Sequence, residues 1–124
     1  MPLDPALQYP DRTHPAEGEM REIADGIYWL RFPLPFALNH VHAWLLRDGD
    51  SWCLVDCGIG GERMRDLWAR LIEQHLDGKP ITRLLVTHYH PDHVGSASII
   101  DDLQQPLLVM NETEWLYTRM FALD

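Results

Sequence analysis

The first half of the chain contains short apolar runs separated by turn residues, a pattern that predicts strands joined in hairpins. From Met20, the segment REIADGIYWLRFPL has apolar runs on both sides of Asp25-Gly26, a strong signal for a hairpin turn. A second hairpin is predicted where HVHAWLL and SWCLVDC flank the Arg-Asp-Gly-Asp sequence of residues 47–50. Because the strands of this second hairpin are almost continuously apolar, they are predicted to be central and buried on both faces.

A helical spacing of apolar residues follows in residues 62–76. Glu62 lies near the predicted N-terminus of this helix, where the helix dipole favours an anion, and Gly78 and Pro80 follow its predicted end. His75 extends the apolar stripe and is expected to pack rather than to act in catalysis. The stripe consists of Met64, Leu67, Trp68, Leu71, Ile72 and Leu76. The later pattern predicts a strand at 81–87, a short helix near 96–103, a strand at 106–110 and a final helix from about 112.

Two regions are expected along the chain. Residues 1–19 contain four prolines among polar residues, a composition that predicts an extended N-terminal arm in which His14 is solvated. Residues 20–124 are expected to form one domain, because 124 residues with 46% hydrophobic content supply enough apolar material for a single core.

Charge and cysteine content narrow the class of protein. The net charge of −9 disfavours a nucleic-acid partner, since phosphate binding needs a basic face. Cys53 and Cys57 lie four positions apart in a predicted strand, too far for a disulfide, and are expected to be reduced thiols that pack rather than bind metal. The N-terminal sequence lacks the apolar run of a secretory signal, and no stretch is apolar enough to cross a membrane. We therefore expect a cytoplasmic protein.

The run THYHPDHVG at residues 87–95 carries the candidate chemistry. On extended backbone, side chains two positions apart leave the same face, so His88 and His90 are predicted to point to one metal ion. Asp92 and His93 offer a carboxylate and an imidazole that can face a second ion. The alternative is a solvated turn with three surface histidines, which we disfavour because binding residues concentrate in loops that follow apolar strands.

Two neighbours of these ligands are expected to shape the loop. Pro91 is predicted to keep His90 extended and to prevent a helix from starting there, so that the chain turns before Asp92. Gly95 is predicted to leave room for the close approach of a metal-bound substrate.

The spacing of His88, His90, Asp92 and His93 resembles the signature of the metallo-β-lactamase superfamily. SWCLVDCG at 51–58 resembles that family's strand ending in Asp-x-Gly, with Asp56 as its carboxylate, and the segment 40–50 resembles the preceding hairpin strand. The resemblance covers about residues 20–115. It implies an α/β fold, namely the N-terminal half of a four-layer αββα sandwich with mixed sheets.

The resemblance also implies a mechanism. His88 and His90 would hold the first of two divalent metal ions, and Asp92 and His93 the second, with Zn²⁺ favoured and iron or manganese possible. A metal-bound hydroxide would attack a thioester, a lactone or a related ester, as in glyoxalase II-like hydrolases, while Asp92 orients the hydroxide and protonates the leaving group. Asp56 would fix a ligand imidazole or the loop through hydrogen bonds without touching the metal.

The family completes its site with two further histidines and a bridging aspartate in its C-terminal half, and residues 94–124 contain no histidine. We therefore expect these 124 residues alone to be inactive, and to leave an apolar sheet face that is covered by the missing half or by self-association. One alternative is a non-catalytic metal-binding fragment or interaction module that needs a partner chain. Another is a phosphodiesterase or RNA hydrolase of the same superfamily. His40 or His42 could lie at the substrate mouth, but an ordinary half-buried histidine is favoured at both positions.

Overall fold

The computed structural model describes residues 6–8 and 13–121 of the chain. Both predicted hairpins are confirmed, with turns at Asp25-Gly26 and at Gly49-Asp50. The predicted long helix and the later strand and helix succession are also present. In chain order the elements are β1 (Arg21–Ala24), β2 (Ile27–Pro33), β3 (His40–Asp48), β4 (Ser51–Val55), α1 (Glu62–His75), β5 (Ile81–Val86), α2 (Pro91–Val94), α3 (Ala97–Gln104), β6 (Leu107–Met110) and α4 (Glu112–Phe121).

The six strands form one mixed sheet in the order β1-β2-β3-β4-β5-β6. Strands β1 to β4 are antiparallel neighbours, as expected for consecutive hairpins. Strand β5 pairs parallel to β4, and β6 pairs parallel to β5. Each parallel connection contains helix, because a chain that returns to the same edge needs a crossover. The carboxyl ends of β4 and β5 therefore lie side by side.

One face of the sheet carries the core. The apolar stripe of α1 lies against this face, with the Phe32 and Trp68 ring centroids 4.9 Å apart. Burial alternates along β3 and β4, so their other face is only half-buried, and the prediction of burial on both faces is wrong. A single helical layer covers one side of a sheet and leaves the other uncovered. We call the other side the open face; it includes Trp29, Trp44, Val55, Leu85 and Val109.

A four-residue helix, α2, which the sequence did not predict, precedes the predicted helix α3. Helix α2 starts at Pro91, so the expectation that Pro91 prevents a helix start is wrong. Proline fits the first helical position, because the N–H that it lacks would have no partner inside the helix. His90 precedes the helix with an extended backbone, φ −57° and ψ 140°, as predicted.

The predicted N-terminal arm falls partly on residues 1–5 and 9–12, which lie outside the described residues. Of its described part, Pro15 is buried and His14 is exposed, as predicted for His14. The Arg21 guanidinium donates a hydrogen bond of 3.0 Å to the carbonyl of Thr13, which joins this segment to β1. In residues 6–8 and 13–121, no helix combines the length and apolarity needed to cross a bilayer.

Candidate metal centre

The predicted metal-ligating residues lie at the edge of the sheet where β4 and β5 end. Asp56 follows β4 directly, and Thr87 follows β5. The backbone N–H of Asp56 donates to the carbonyl of Leu85 at 2.8 Å, which continues the parallel ladder to the last residue before the site. We call this side of the sheet the metal edge, and residues 87–95 the metal loop. Parallel pairing is what brings the two segments together.

Asp56 is a buried carboxylate, 6% exposed, with a left-handed backbone at φ 60°. Its oxygens accept three hydrogen bonds of 2.8 Å, from the Thr87 backbone N–H, the Thr87 hydroxyl and His93 Nδ1. Three donors compensate the cost of burying a charge. Asp56 thereby fixes both the start of the metal loop and the ring orientation of His93.

These hydrogen bonds determine where the imidazole protons lie. A carboxylate only accepts, so His93 Nδ1 carries a proton and its Nε2 is free to bind metal in the neutral ring. The single proton of the Thr87 hydroxyl is donated to Asp56, so this hydroxyl accepts from His88 Nδ1 at 2.8 Å. His88 then also presents an unprotonated Nε2. When neutral, both imidazoles are therefore held in the tautomer whose Nε2 can ligate a cation.

The four predicted ligands lie near one another, but the distances between them differ. Ligand atoms of Asp56, His88 and His93 lie within 4.8 Å of one another. The His88 ring centroid is 4.1 Å from that of His93 and 4.7 Å from that of His90. Asp92 Oδ2 is 3.4 Å from His93 Nε2. This compact group includes Asp56, which was not predicted to be a ligand, and it does not include His90 or Asp92. Both Asp56 oxygens already accept hydrogen bonds, which favours an orienting role for this carboxylate.

Cys57 holds the metal loop through hydrogen bonds, a role that no signal in the sequence indicates. Its backbone N–H and its thiol both donate to the carbonyl of His93, at 3.0 and 3.3 Å. The Trp68 indole N–H of α1 donates to the Cys57 carbonyl at 3.0 Å. Burial raises the pKa of the Cys57 thiol to about 12, so the thiol keeps the proton that it donates. Cys53 and Cys57 are both free thiols, as expected.

Gly95 lies close to other backbone atoms of the protein. The expectation that it leaves room for a substrate is therefore wrong. A Cβ atom added there would lie 2.3 Å from the Pro91 oxygen and 2.6 Å from the Gly60 nitrogen. Next to it, the buried Ser96 donates its backbone N–H to the Gly58 carbonyl at 3.0 Å and its hydroxyl to the Ile59 carbonyl. The metal loop is therefore packed directly on the segment that follows Asp56.

The remaining histidines lie outside this group. His75 is half-buried at the end of α1, beside Tyr28, Arg47 and Lys79, and so lies away from the metal loop. His40 and His42 are half-buried as expected, but they are at the start of β3, which reaches the metal edge. Both are on the open face.

Comparison with known proteins gives consistent matches. The family model described as "Metallo-beta-lactamase superfamily" matches residues 37–124. The probable metallo-hydrolase YybB of Bacillus subtilis is 36% identical over 80 residues, 64% of this chain and 34% of that protein. The hydroxyacylglutathione hydrolase of Pseudomonas paraeruginosa is 30% identical over 88 residues, 71% of this chain and 33% of that protein.

A solved structure matches more of the chain. The crystal structure of a beta-lactamase domain protein from Burkholderia ambifaria superposes with a TM-score of 0.84 and 42% sequence identity, over 94% of this chain and 37% of that one. This similarity confirms the fold class predicted from the sequence. The chain spans about a third of the length of these relatives.

Proposed function

The chain belongs to the metallo-β-lactamase superfamily, and we propose that the whole protein is a metal-dependent hydrolase of thioesters. The relatives that match it include two probable metallo-hydrolases and a hydroxyacylglutathione hydrolase. Thioesters are proposed because one of these relatives is a hydroxyacylglutathione hydrolase. Lactones and related esters share the same acyl chemistry. The free thiols of Cys53 and Cys57 suit a cytoplasmic location, which is part of the proposal.

The observation that carries the proposal is that Asp56 and Thr87 orient His88 and His93, whose ligand atoms lie close together. Hydrogen bonds through Nδ1 leave Nε2 of both histidines free. Imidazole nitrogens of this kind are preferred ligands of Zn²⁺. We propose that His88 and His90 hold a first divalent ion, and that Asp92 and His93 hold a second. Zinc is favoured because imidazole predominates, and iron or manganese would also accept these ligands.

When bound, such ions supply an activated water and polarise the carbonyl of the thioester. The chain's own residues arrange the proton transfer. Asp92 lies beside His93 Nε2 and is half-buried, so its carboxylate is placed to take a proton from the attacking water. The same carboxylate then gives that proton to the thiolate that leaves. Asp56 keeps His93 oriented throughout, because its hydrogen bonds do not involve the ligand side of the ring.

The proposal is tested with the full-length protein, supplied with zinc, on a glutathione thioester, an N-acyl homoserine lactone and bis-p-nitrophenyl phosphate. We expect turnover of the thioester to exceed that of the phosphodiester. Asp92→Asn should lower kcat by about 10²-fold or more, as for loss of a positioned acid-base group. Asp101→Asn, on the exposed side of α3, is the matched control and should leave kcat unchanged. Preference for the phosphodiester would contradict the proposed substrate class.

The 124 residues by themselves are proposed to be inactive in the same assay, because a two-ion site needs more ligands than this segment provides. The open face should also drive self-association of the isolated segment, since exposed apolar residues such as Leu107 and Val109 continue it. Light scattering tests this second point. A monomeric segment with zinc-dependent turnover would contradict both statements.

A further inference from the structure

Three basic side chains, Arg31, His40 and His42, lie beside the metal edge in a chain that is strongly acidic overall. Arg31 in β2 lies directly across from His42 in β3, and the ring centroids of His40 and His42 are 5.1 Å apart. The pKa of His42 is lowered by burial first, and then by the charges of His40, Arg31 and His14. Each of these nearby charges is basic, although the chain has 19 acidic residues and 10 lysines and arginines. We call Arg31, His40 and His42 the basic cluster.

Arg31 is the permanently charged member of the cluster. Its Nε is buried and has no hydrogen-bond acceptor among residues 6–8 and 13–121. Four other arginines of the described chain do have carboxylate partners, namely Arg21, Arg47, Arg63 and Arg65. A buried donor without an acceptor costs free energy, more so when it is charged. This cost is removed if a ligand supplies the acceptor.

A second donor stands next to Arg31. The Trp29 indole N–H can only donate, and it lies 2.9 Å from His42 Nδ1, so that nitrogen must be unprotonated. The proton of the neutral His42 ring is therefore on Nε2, which becomes a donor of fixed identity. Trp29 also stacks on Trp44, with ring centroids 6.2 Å apart. The end of the open face next to the metal edge thus carries two donors beside an aromatic surface.

The position of the cluster connects it to the proposed active site. Pro33, two residues after Arg31, ends β2 and pairs with His40 at the first position of β3. This end of β2 and β3 lies on the same side of the sheet as the carboxyl end of β4, because Trp44 pairs with Val55. Helix α2 of the metal loop lies against β3. A substrate bound at the metal loop would reach the basic cluster along this edge.

We propose that the basic cluster is a substrate-binding subsite in which Arg31, with His42 beside it, binds a carboxylate of the substrate. The guanidinium group matches a carboxylate through paired N–H donors, and one permanent positive charge suits a monoanion. The inference rests on the proposed function and makes it more specific: the thioesters that the protein prefers carry a carboxylate in the acyl or the thiol part.

The test uses full-length, zinc-loaded protein and three thioesters: S-acetyl-N-acetylcysteamine, S-succinyl-N-acetylcysteamine and S-acetyl-3-mercaptopropionate. We expect a lower KM for one of the two anionic substrates than for the neutral one. Arg31→Gln should raise that KM about ten- to a hundredfold, as for loss of a charged hydrogen bond, and leave KM and kcat for the neutral substrate unchanged. Arg31→Lys should restore part of the preference. Arg83→Gln, an exposed arginine on the open face of β5, is the matched control.

A binding measurement separates this inference from the proposed function. By isothermal titration, wild-type protein and Arg83→Gln should bind glutarate more tightly than the neutral diamide of glutarate, and Arg31→Gln should lose this difference. That result would support the subsite even if no thioester is hydrolysed. If Arg31→Gln keeps the preference for the anionic thioester and for glutarate, the inference is wrong. If it only lowers Tm, Arg31 pairs with an acidic residue elsewhere in the protein, and the inference is equally wrong.

Discussion

Replacement of Asp56 by asparagine tests the hydrogen-bond network that orients the proposed ligands. Asparagine has nearly the same shape as aspartate, and it tolerates the left-handed backbone at this position, φ 60°. The substitution therefore removes the charge and one acceptor without forcing the strand end to move. His93 Nδ1–H and the two donors of Thr87 would then compete for a single oxygen.

The size of the effect follows from these three hydrogen bonds. A charged hydrogen bond contributes about 1.5–3 kcal/mol, and a neutral one about 1 kcal/mol. Asp56→Asn makes one of the three bonds impossible and reduces the other two to neutral strength. Together these losses should lower the free energy of unfolding by about 2.5–7 kcal/mol. Loss of an orienting partner behind a ligand imidazole should also weaken zinc binding by about 10–100-fold.

Urea unfolding of the metal-free full-length protein measures the first effect, and zinc competition against a chromophoric chelator measures the second. Asp102→Asn is the matched control, because its carboxylate is 2.8 Å from Arg65 but both side chains are exposed. Such a surface pair contributes less than about 1 kcal/mol, and zinc affinity should not change. Unchanged zinc affinity in Asp56→Asn would refute the orienting role that we assign to Asp56.

Three further substitutions or treatments test neighbouring contacts. Thr87→Val should lower zinc affinity about tenfold, because the hydroxyl that joins Asp56 to His88 Nδ1 is lost. Thr87→Ser keeps the hydroxyl and should keep the zinc affinity. Equal affinities of the two variants would show that the hydroxyl does not position His88. Gly95→Ala should cost about 1–3 kcal/mol or more in urea unfolding, since its Cβ would meet backbone at 2.3 and 2.6 Å, while the exposed Ser98→Ala should be neutral. Iodoacetamide at pH 8 should modify the half-buried Cys53 faster than Cys57. The Cys57 thiol is buried, and its pKa of about 12 keeps it protonated and unreactive. Equal modification rates of the two cysteines, measured by mass spectrometry, would contradict this prediction.

Local signals were the part of the fold that the sequence predicted best. Asp-Gly turns, the stripe of α1 and the strand before the metal loop depend on residues close in the chain, and they are present in the structure. The Pro91 interpretation failed because proline is excluded from helix interiors but favoured at the first position. The prediction that β3 is buried on both faces was wrong, because hydrophobic content does not tell whether one or two layers cover a sheet.

For the candidate site, the sequence predicted the residue types and an Asp56 hydrogen bond to a ligand imidazole or the loop, but not the other contacts. His88 and His93 are recognisable from their spacing, whereas the Thr87 hydroxyl that bridges Asp56 and His88 depends on the parallel pairing of β4 with β5. The same pairing places Gly60 against Gly95, so a glycine that we assigned to substrate is instead required by backbone packing. Contacts between segments more than 30 residues apart could not be read from the pattern of either segment alone.

The most direct test of the central claim is the metal content of the full-length protein, measured by inductively coupled plasma mass spectrometry for wild type, His88→Ala and His75→Ala. We predict about two zinc ions per wild-type chain, loss of at least one in His88→Ala, and wild-type content in His75→Ala, because His75 lies away from the metal loop. If His88→Ala retained all the metal of the wild type while remaining folded, the metal centre would not lie where we place it.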